Sequence, residues 1–237
     1  MHIGIIGTGN VGTALARLAT AAGGDAGLAN SRGPESLADL VAGLGEHATA
    51  DTLAEAAQAG EVTVLSVPLS AALALPSELL DDRTVLDTTN YYPSRDGRIA
   101  ELDAREATTS ELLQRHFTGA RLVKAFSSIL AHHMTELARG PAAEDRSALP
   151  VAGDDKTAKT AVRTVVDRLG YDTVDAGAAA DAWRFEPETA GYTQLYWAAP
   201  MRPGQDVEAI PARPRGRAEV EAALASAEHI DVGARTF

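Results

Sequence analysis

Cysteine is missing altogether from the 237 residues. Its absence excludes disulfides, thiolate metal sites and catalytic thiols together, and it suits a cytoplasmic protein. Long hydrophobic runs are missing too. The apolar stretches are far too short to span a bilayer, and no charged-then-apolar leader precedes the strand that starts at His2, so neither membrane insertion nor secretion is expected. Basic residues are outnumbered, 21 Lys and Arg against 33 Asp and Glu, for a net charge of −12. Such a surface repels phosphate backbones and argues against a nucleic-acid partner. There is no His-Glu-x-x-His, no acidic triad at calcium-loop spacing and no Gly-x-Ser-x-Gly, so no metal site and no hydrolysis are indicated. No repeat of the length used by solenoids is visible.

What the chain does have is a core-forming composition, 45% hydrophobic, and one informative opening. His2-Ile3-Gly4-Ile5-Ile6 reads as a buried strand that runs into Gly7-Thr8-Gly9-Asn10-Val11-Gly12. Val11, Leu15, Leu18 and Ala22 then recur at helical spacing. A Gly-x-Gly-x-x-Gly between strand and helix is a dinucleotide turn. Gly7 allows the tight bend, Gly9 lets a pyrophosphate approach the backbone, and Gly12 lets the helix pack closely on its strand. The free N–H groups of the helix N-terminus face the anion.

The second strand, Asp25 to Asn30, decides which dinucleotide. An NAD site carries an acid at its tip, about 20 residues after the glycines, bonded to the ribose 2′-hydroxyl. Here the tip reads Asn30-Ser31-Arg32, with no carboxylate, and Asp25 lies at the other end. Arg32 offers a planar fork of donors and Ser31 a hydroxyl, which suits the 2′-phosphate of NADP. On so acidic a molecule this is a local basic spot.

Strand and helix signals then alternate. Pro34 opens a helix through Leu44, and residues 47–50 form a short third strand. Asp51 or Thr52 caps a helix that ends near Gly60. Strands follow at 61–67, 84–90, 121–126, 147–153 and 172–177. Pro93 and Gly97 mark a loop anchored by Ile99 and Leu102. Thr108 to Glu111 is a capping box, and Asp154 or Asp155 caps a helix that ends at Gly170. The expected fold is α/β, a doubly wound and mostly parallel Rossmann-type sheet of about eight strands. Residues 1–198 form the NADP-binding domain with its substrate side. Residues 199–237 form a small appendage, a Pro-rich arm broken at Pro200, Pro203, Pro211 and Pro214, then a terminal helix from Arg217 to Glu228.

Ligands of such sheets lie at the carboxyl ends of the strands. That rim holds the glycine turn, Asn30 to Arg32, Ser66-Val67-Pro68, Thr89-Asn90 and Ser127-Ser128. Ser66 and Pro68 are expected beside the middle of the cofactor, Thr89 and Asn90 near its nicotinamide. Asn90 could equally cap a turn.

Together these stretches resemble the NADPH-dependent reductases of the deazaflavin coenzyme F-420 and the dinucleotide-binding oxidoreductases around them. The likeness runs through Gly7 to Gly12, Asn30 to Arg32, Asp87 to Asn90, Val123 to Phe126, Val151 to Asp155 and Asp175 to Gly177, in order over roughly residues 1–190. It implies NADP binding by Thr8, Asn10, Ser31 and Arg32 besides the glycines, and a deazaflavin as co-substrate. The chain departs from the family at Ser127, where an Asn is common, and at Ala178-Ala179, where a Pro-Leu pair is common. Both lie where a second substrate is expected.

Hydride transfer between nicotinamide and deazaflavin needs stacking and distance more than an acid or base. An NADPH-dependent reductase of a small carbonyl, imine or alkene would need a proton donor, for which His132, His133, Lys124 or a tyrosine are candidates. A non-enzymatic NADPH sensor is the third reading. Tyr91 and Tyr92 either stack on a flat ring or anchor their loop. Trp183, Tyr192, Tyr196 and Trp197 gather aromatic content into one stretch that suits a core, a pocket wall or the contact of a homodimer.

Overall fold

The sequence folds around one sheet of eight strands, in the order β3-β2-β1-β4-β5-β6-β7-β8. In the computed structural model, which describes residues 1–202 and 204–235, the strands are β1 (His2–Ile6), β2 (Asp25–Ala29), β3 (Ala48–Ala50), β4 (Val62–Leu65), β5 (Thr84–Asp87), β6 (Arg121–Lys124), β7 (Ala148–Ala152) and β8 (Asp172–Gly177). Pro203 of the expected arm lies outside the described residues, as do 236 and 237. Neighbours pair in parallel throughout, except that β6 meets β7 antiparallel at Lys124 and Ala152. The α/β, mostly parallel sheet expected from the alternating signals is what forms.

The helices are α1 (Asn10–Ala21), α2 (Ala38–Leu44), α3 (Leu53–Gln58), α4 (Leu69–Leu73), α5 (Pro93–Asp96), α6 (Ala100–Asp103), α7 (Thr109–His116), α8 (Ala131–Leu137), α9 (Lys156–Arg168) and α10 (Arg217–Ala225). Central strands covered on both faces carry unbroken apolar runs, and β4 and β7 are buried at every residue. On one face Ile3, Ile5, Val64 and Val123 pack against Leu15 and Leu18 of α1, Met134 of α8 and Val162 of α9. On the other, Ile6, Leu65 and Val85 pack against Ala56 of α3, Leu69 of α4 and Leu113 of α7. Each fully buried aliphatic side chain contributes about 1.5–3 kcal/mol. Among the described residues no helix is long and apolar enough to cross a membrane.

Local chemistry sets most boundaries. Thr52 and Glu55 form a reciprocal capping box on α3, and Thr108 and Glu111 form one on α7. Asp155, not Asp154, caps α9, accepting from the Ala158 N–H at 2.7 Å.

Four expectations need correction. The loop after β5 contains two one-turn helices, α5 and α6, because Pro93 sits at a first-turn position and the Asp96 carboxylate accepts from the Tyr92 N–H at 3.0 Å. The segment from Pro34 starts as a 3-10 turn, Pro34–Leu37, before α2. Helix α4 was not signalled, being only five residues long. The strand expected over 121–126 stops at Lys124, and Phe126 takes a left-handed backbone with φ of 57°.

The chain beyond residue 198 returns to the body. The Arg213 N–H donates to the Tyr196 carbonyl at 2.8 Å and the Ala148 N–H to the Arg215 carbonyl at 2.7 Å. Val220 and Leu224 of α10 bury against Val174, Ala176 and Phe185.

Candidate active site

Strand order reverses beside β1, which lies between β2 and β4, and the crevice at their carboxyl ends opens there. The Gly7 N–H donates to the Ala29 carbonyl and the Ser66 N–H to the Ile6 carbonyl, each at 2.8 Å, so the ends of β1, β2 and β4 form one rim.

The three glycines of the turn are glycine for different reasons. Gly7 has φ of +106°, and a Cβ there would lie 2.0 Å from the Ser66 carbonyl oxygen. A Cβ on Gly12 would lie 1.9 Å from the Gly7 carbonyl oxygen. Gly9, the N-cap of α1, has an ordinary φ of −75°, and a Cβ there would meet nothing within 4 Å. The protein itself therefore gives no steric reason for glycine at position 9. No side chain caps α1 and no acid occupies its first turn, so its first N–H groups face open space with the positive end of the helix dipole behind them. This is a cradle that fits a pyrophosphate.

The Asn30 to Arg32 turn sits directly beside it. Asn30 Nδ2 lies 3.4 Å from Thr8 Oγ1 and donates to Ser36 Oγ at 3.0 Å. Asn30 Oδ1 accepts from the Arg32 N–H at 2.8 Å. Asn30 thus spends its amide on shaping the turn. Ser31 and Arg32 are exposed, and no ion pair occupies the Arg32 guanidinium among the described residues, which leaves its fork available to a phosphate.

From the cradle a cavity of about 600 Å³ runs across the carboxyl ends of β1, β4, β5 and β6. Gly9, Asn10 and Val11 line it at one end and Ser66, Val67 and Pro68 along its side, followed by Thr89 and Asn90. Its far wall was less visible in the sequence: Tyr92 and Arg95 from α5 and the turn before it, Phe126 and Ser127 after β6, Tyr192, and Val207 and Glu208 from the returning arm.

The floor under Thr89 is a buried polar network. Asp87 and Lys124 are fully buried, with Nζ 3.1 Å from Oδ2. Lys124 also donates to the Thr89 carbonyl at 2.7 Å, and Asp87 accepts from the Thr89 N–H at 2.8 Å and from its hydroxyl at 2.7 Å. Lys124 does not line the cavity; it fixes the backbone that does. Asn90 is not a turn cap. Its Nδ2 donates to the Ser127 carbonyl at 2.8 Å and reaches Tyr192 Oη at 3.4 Å, which leaves Asn90 Oδ1 and Ser127 Oγ buried without protein partners. Buried orphan acceptors next to a cavity are expected where a ligand completes the bonding.

The histidines are engaged elsewhere. His133 Nε2 lies 2.7 Å and His132 Nε2 3.2 Å from the same acceptor, the Ile210 carbonyl oxygen. Only an N–H donates to a carbonyl, so Nε2 carries the proton in each. His132 Nδ1 also lies 2.9 Å from Glu208. Burial pushes His133 below the usual histidine range. Both residues hold the arm that supplies Val207 and Glu208, and neither lines the cavity.

Tyr91 and Tyr92 split between the two expectations. Tyr91 is fully buried and anchors its loop, accepting from the Ile99 N–H at 2.9 Å and donating to Asp103 at 2.9 Å. Tyr92 faces the cavity, with its hydroxyl 2.6 Å from that of Tyr192. The aromatic stretch also divides. Tyr196 is core, donating to the Ala148 carbonyl at 2.8 Å. Trp183 stacks on His229 at 3.8 Å beside a smaller cavity of about 260 Å³. Trp197 pairs with Ala212 of the arm. These side chains serve separate places within one chain.

The model of the family described as NADP oxidoreductase, coenzyme F420-dependent, matches residues 2–91, which span the cradle, the Arg32 turn and the cavity side as far as Tyr91. A hypothetical protein of Sinorhizobium meliloti of known structure is 31% identical, over 75% of this chain and 85% of that one, with a TM-score of 0.65. A candidate F420-dependent NADP-reductase of Arthrobacter sp. FB24 shares the fold at 24% identity, over 76% of this chain and 86% of that one, with a TM-score of 0.62. A reductive aminase of Aspergillus terreus in complex with NADPH and ethyl levulinate shares it at 20% identity, over 75% and 55% of the two chains, with a TM-score of 0.52. No curated protein matches the chain. The chain belongs to the family of NADP-dependent oxidoreductases described as NADP oxidoreductase, coenzyme F420-dependent.

Proposed function

We propose that this protein transfers a hydride between NADPH, held in the Gly7–Gly12 cradle, and a flat redox cofactor of the deazaflavin class seated in the far half of the cavity. The observation that carries the reading is Gly9. It is the one glycine of the turn that no protein atom requires, and it opens into the same cavity as Asn90 and Tyr192.

The residue roles follow from placement. The cradle and the N-terminus of α1 take the pyrophosphate. Ser31 and Arg32 take the 2′-phosphate, for which a guanidinium fork is suited. Ser66, Val67 and Pro68 flank the middle of the cofactor. Thr89, held by Asp87 and Lys124, and Asn90 flank the nicotinamide, whose carboxamide offers a donor to Asn90 Oδ1. NADPH supplies the hydride when bound; the chain orients the ring and excludes water with Phe126, Ile129 and Leu130. The deazaflavin class is supported by the family description.

A second reading, reduction of a small carbonyl or imine, is favoured by one observation: two tyrosine hydroxyls in contact on the cavity wall. Anaerobic mixing with NADPH and oxidised deazaflavin separates the two. Rapid loss of the deazaflavin's visible absorbance with NADPH, and little with NADH, is expected. Intact NADPH binding without bleaching would move the acceptor to the small-molecule class.

A further inference from the structure

Reducing an acceptor by hydride leaves an electron pair on a heteroatom that needs a proton. Three groups that could give one are occupied: His132 and His133 on the Ile210 carbonyl, and Lys124 between Asp87 and Thr89. Glu208 on the arm lies 2.9 Å from His132 Nδ1. Tyr92 and Tyr192 both line the cavity and touch at 2.6 Å, although they are 100 residues apart in sequence. Asn90, beside the expected nicotinamide, reaches Tyr192 Oη.

We propose that Tyr192 is the proton donor to the reduced acceptor and that Tyr92 replaces its proton; this rests on the second reading above, reduction of a small carbonyl or imine by NADPH. As hydride reaches the carbon of a C=N or C=O bond, the π-electron pair moves to the heteroatom. The heteroatom takes the Tyr192 proton, so an N–H or O–H bond forms while the phenolic O–H bond breaks. Tyr92 passes its proton to the Tyr192 phenolate, and the negative charge comes to rest on Tyr92, over whose ring the Arg95 guanidinium lies at 5.2 Å. A proton from solvent restores Tyr92. The acceptor gains two electrons and the nicotinamide loses two.

Burial raises both hydroxyls above the usual tyrosine range, Tyr192 the more strongly, so both stay protonated at neutral pH. Among the described residues, the charged groups acting on the pair include Arg95, itself paired with Asp96 at 2.8 Å, Arg235 and Glu188. The two cations favour a transient phenolate, and Glu188 opposes it at Tyr92.

The test compares a neutral cyclic imine with its N-methyl iminium salt, at a pH where the imine carries no proton. The salt accepts a hydride and needs no proton. Tyr192→Phe is expected to lower kcat on the imine about 100-fold, the scale of general acid catalysis, while turnover of the salt and NADPH affinity by fluorescence titration stay near those of the unsubstituted protein. Equal losses on the two acceptors, or unchanged imine turnover, overturn the proposal and leave hydride transfer standing. Should Tyr192→Phe fail to fold, a ring-fluorinated tyrosine at 192 keeps the shape; the pH profile for the imine must then move to lower pH, and an unmoved profile overturns the assignment. If the unsubstituted protein passes hydride to neither acceptor, the donor assignment falls; if it also fails to bleach the deazaflavin, the hydride-transfer reading falls with it.

Discussion

Lys124 Nζ donates to the Thr89 carbonyl oxygen at 2.7 Å, from a position with no solvent contact, while its charge is balanced by Asp87 at 3.1 Å. The pair is a foundation for the backbone of Thr89, which lines the cavity. Removing one member of a buried ion pair strands the other charge in a low-dielectric interior, at a cost of about 3–5 kcal/mol. Lys124→Ala is therefore expected to lower the free energy of unfolding by that amount, read from a shifted denaturation midpoint in urea. A variant that loses turnover at full stability would make Lys124 a direct participant.

Arg32→Ala should weaken NADPH far more than NADH. A charge-assisted hydrogen bond is worth about 1.5–3 kcal/mol, which corresponds to a loss of about 10- to 150-fold in NADPH affinity. Titrating both cofactors by fluorescence reads the ratio. Equal weakening would sink the assignment of Arg32 to the 2′-phosphate.

Gly9→Val is expected to abolish cofactor binding while the fold survives, because a Cβ there would meet no protein atom within 4 Å and the backbone is not left-handed. Gly7→Val should behave in the opposite way and fail to fold, since φ there is +106° and the Ser66 carbonyl blocks the Cβ. Thermal melts and NADPH titration of the two variants, side by side, check this. Retained affinity in Gly9→Val would move the pyrophosphate elsewhere.

Stability should fall as pH drops from 7.5 to 5.5 through His133. Burial lowers its folded pKa below the unfolded value of 6.5, so the unfolded chain binds more protons once pH passes below that value. Its contribution is complete above the unfolded pKa and is lost as pH falls toward the folded one. His132, Glu136 and Glu208 face it, the last two partly offsetting the shift. His47, raised by its hydrogen bond to Asp25, acts with the opposite sign; the informative comparison is His133→Gln against the unsubstituted protein. The variant's Tm should be flatter over this range, and parallel Tm curves would show that His133 does not set it.

Much of the cradle was legible because its causes are local. Thr108 and Glu111 sit three residues apart and form the box that their spacing implies, and Thr52, one of the two caps expected for α3, forms another with Glu55. The Gly7–Gly12 turn and the Arg32 turn are each defined within a few residues of a strand end. The far wall depends on contacts that no window contains. Tyr192 reaches Tyr92 across 100 residues, and Val207 arrives on an arm that reads only as proline-broken coil. The histidines show the same limit from the other side. As a pair in a short helix they suggested chemistry, and only the return of Ile210 to their Nε2 atoms gives them a structural task. Phe126 illustrates a third cause. Nothing in Lys124-Ala125-Phe126 signals that a phenylalanine will take φ of 57°, in a buried place where its ring meets that of Tyr171, distant in sequence, edge-on at 5.5 Å.

Because the arm supplies the last stretch of cavity wall, the two halves of the site are finished at different times during synthesis. The cradle, the Arg32 turn and the Ser66 to Pro68 flank are all encoded before residue 69, whereas Val207 and Glu208 follow only near the end of translation. A chain that stopped within the arm would accordingly keep the Gly7–Gly12 turn and lack the stretch of cavity wall that Val207 and Glu208 supply.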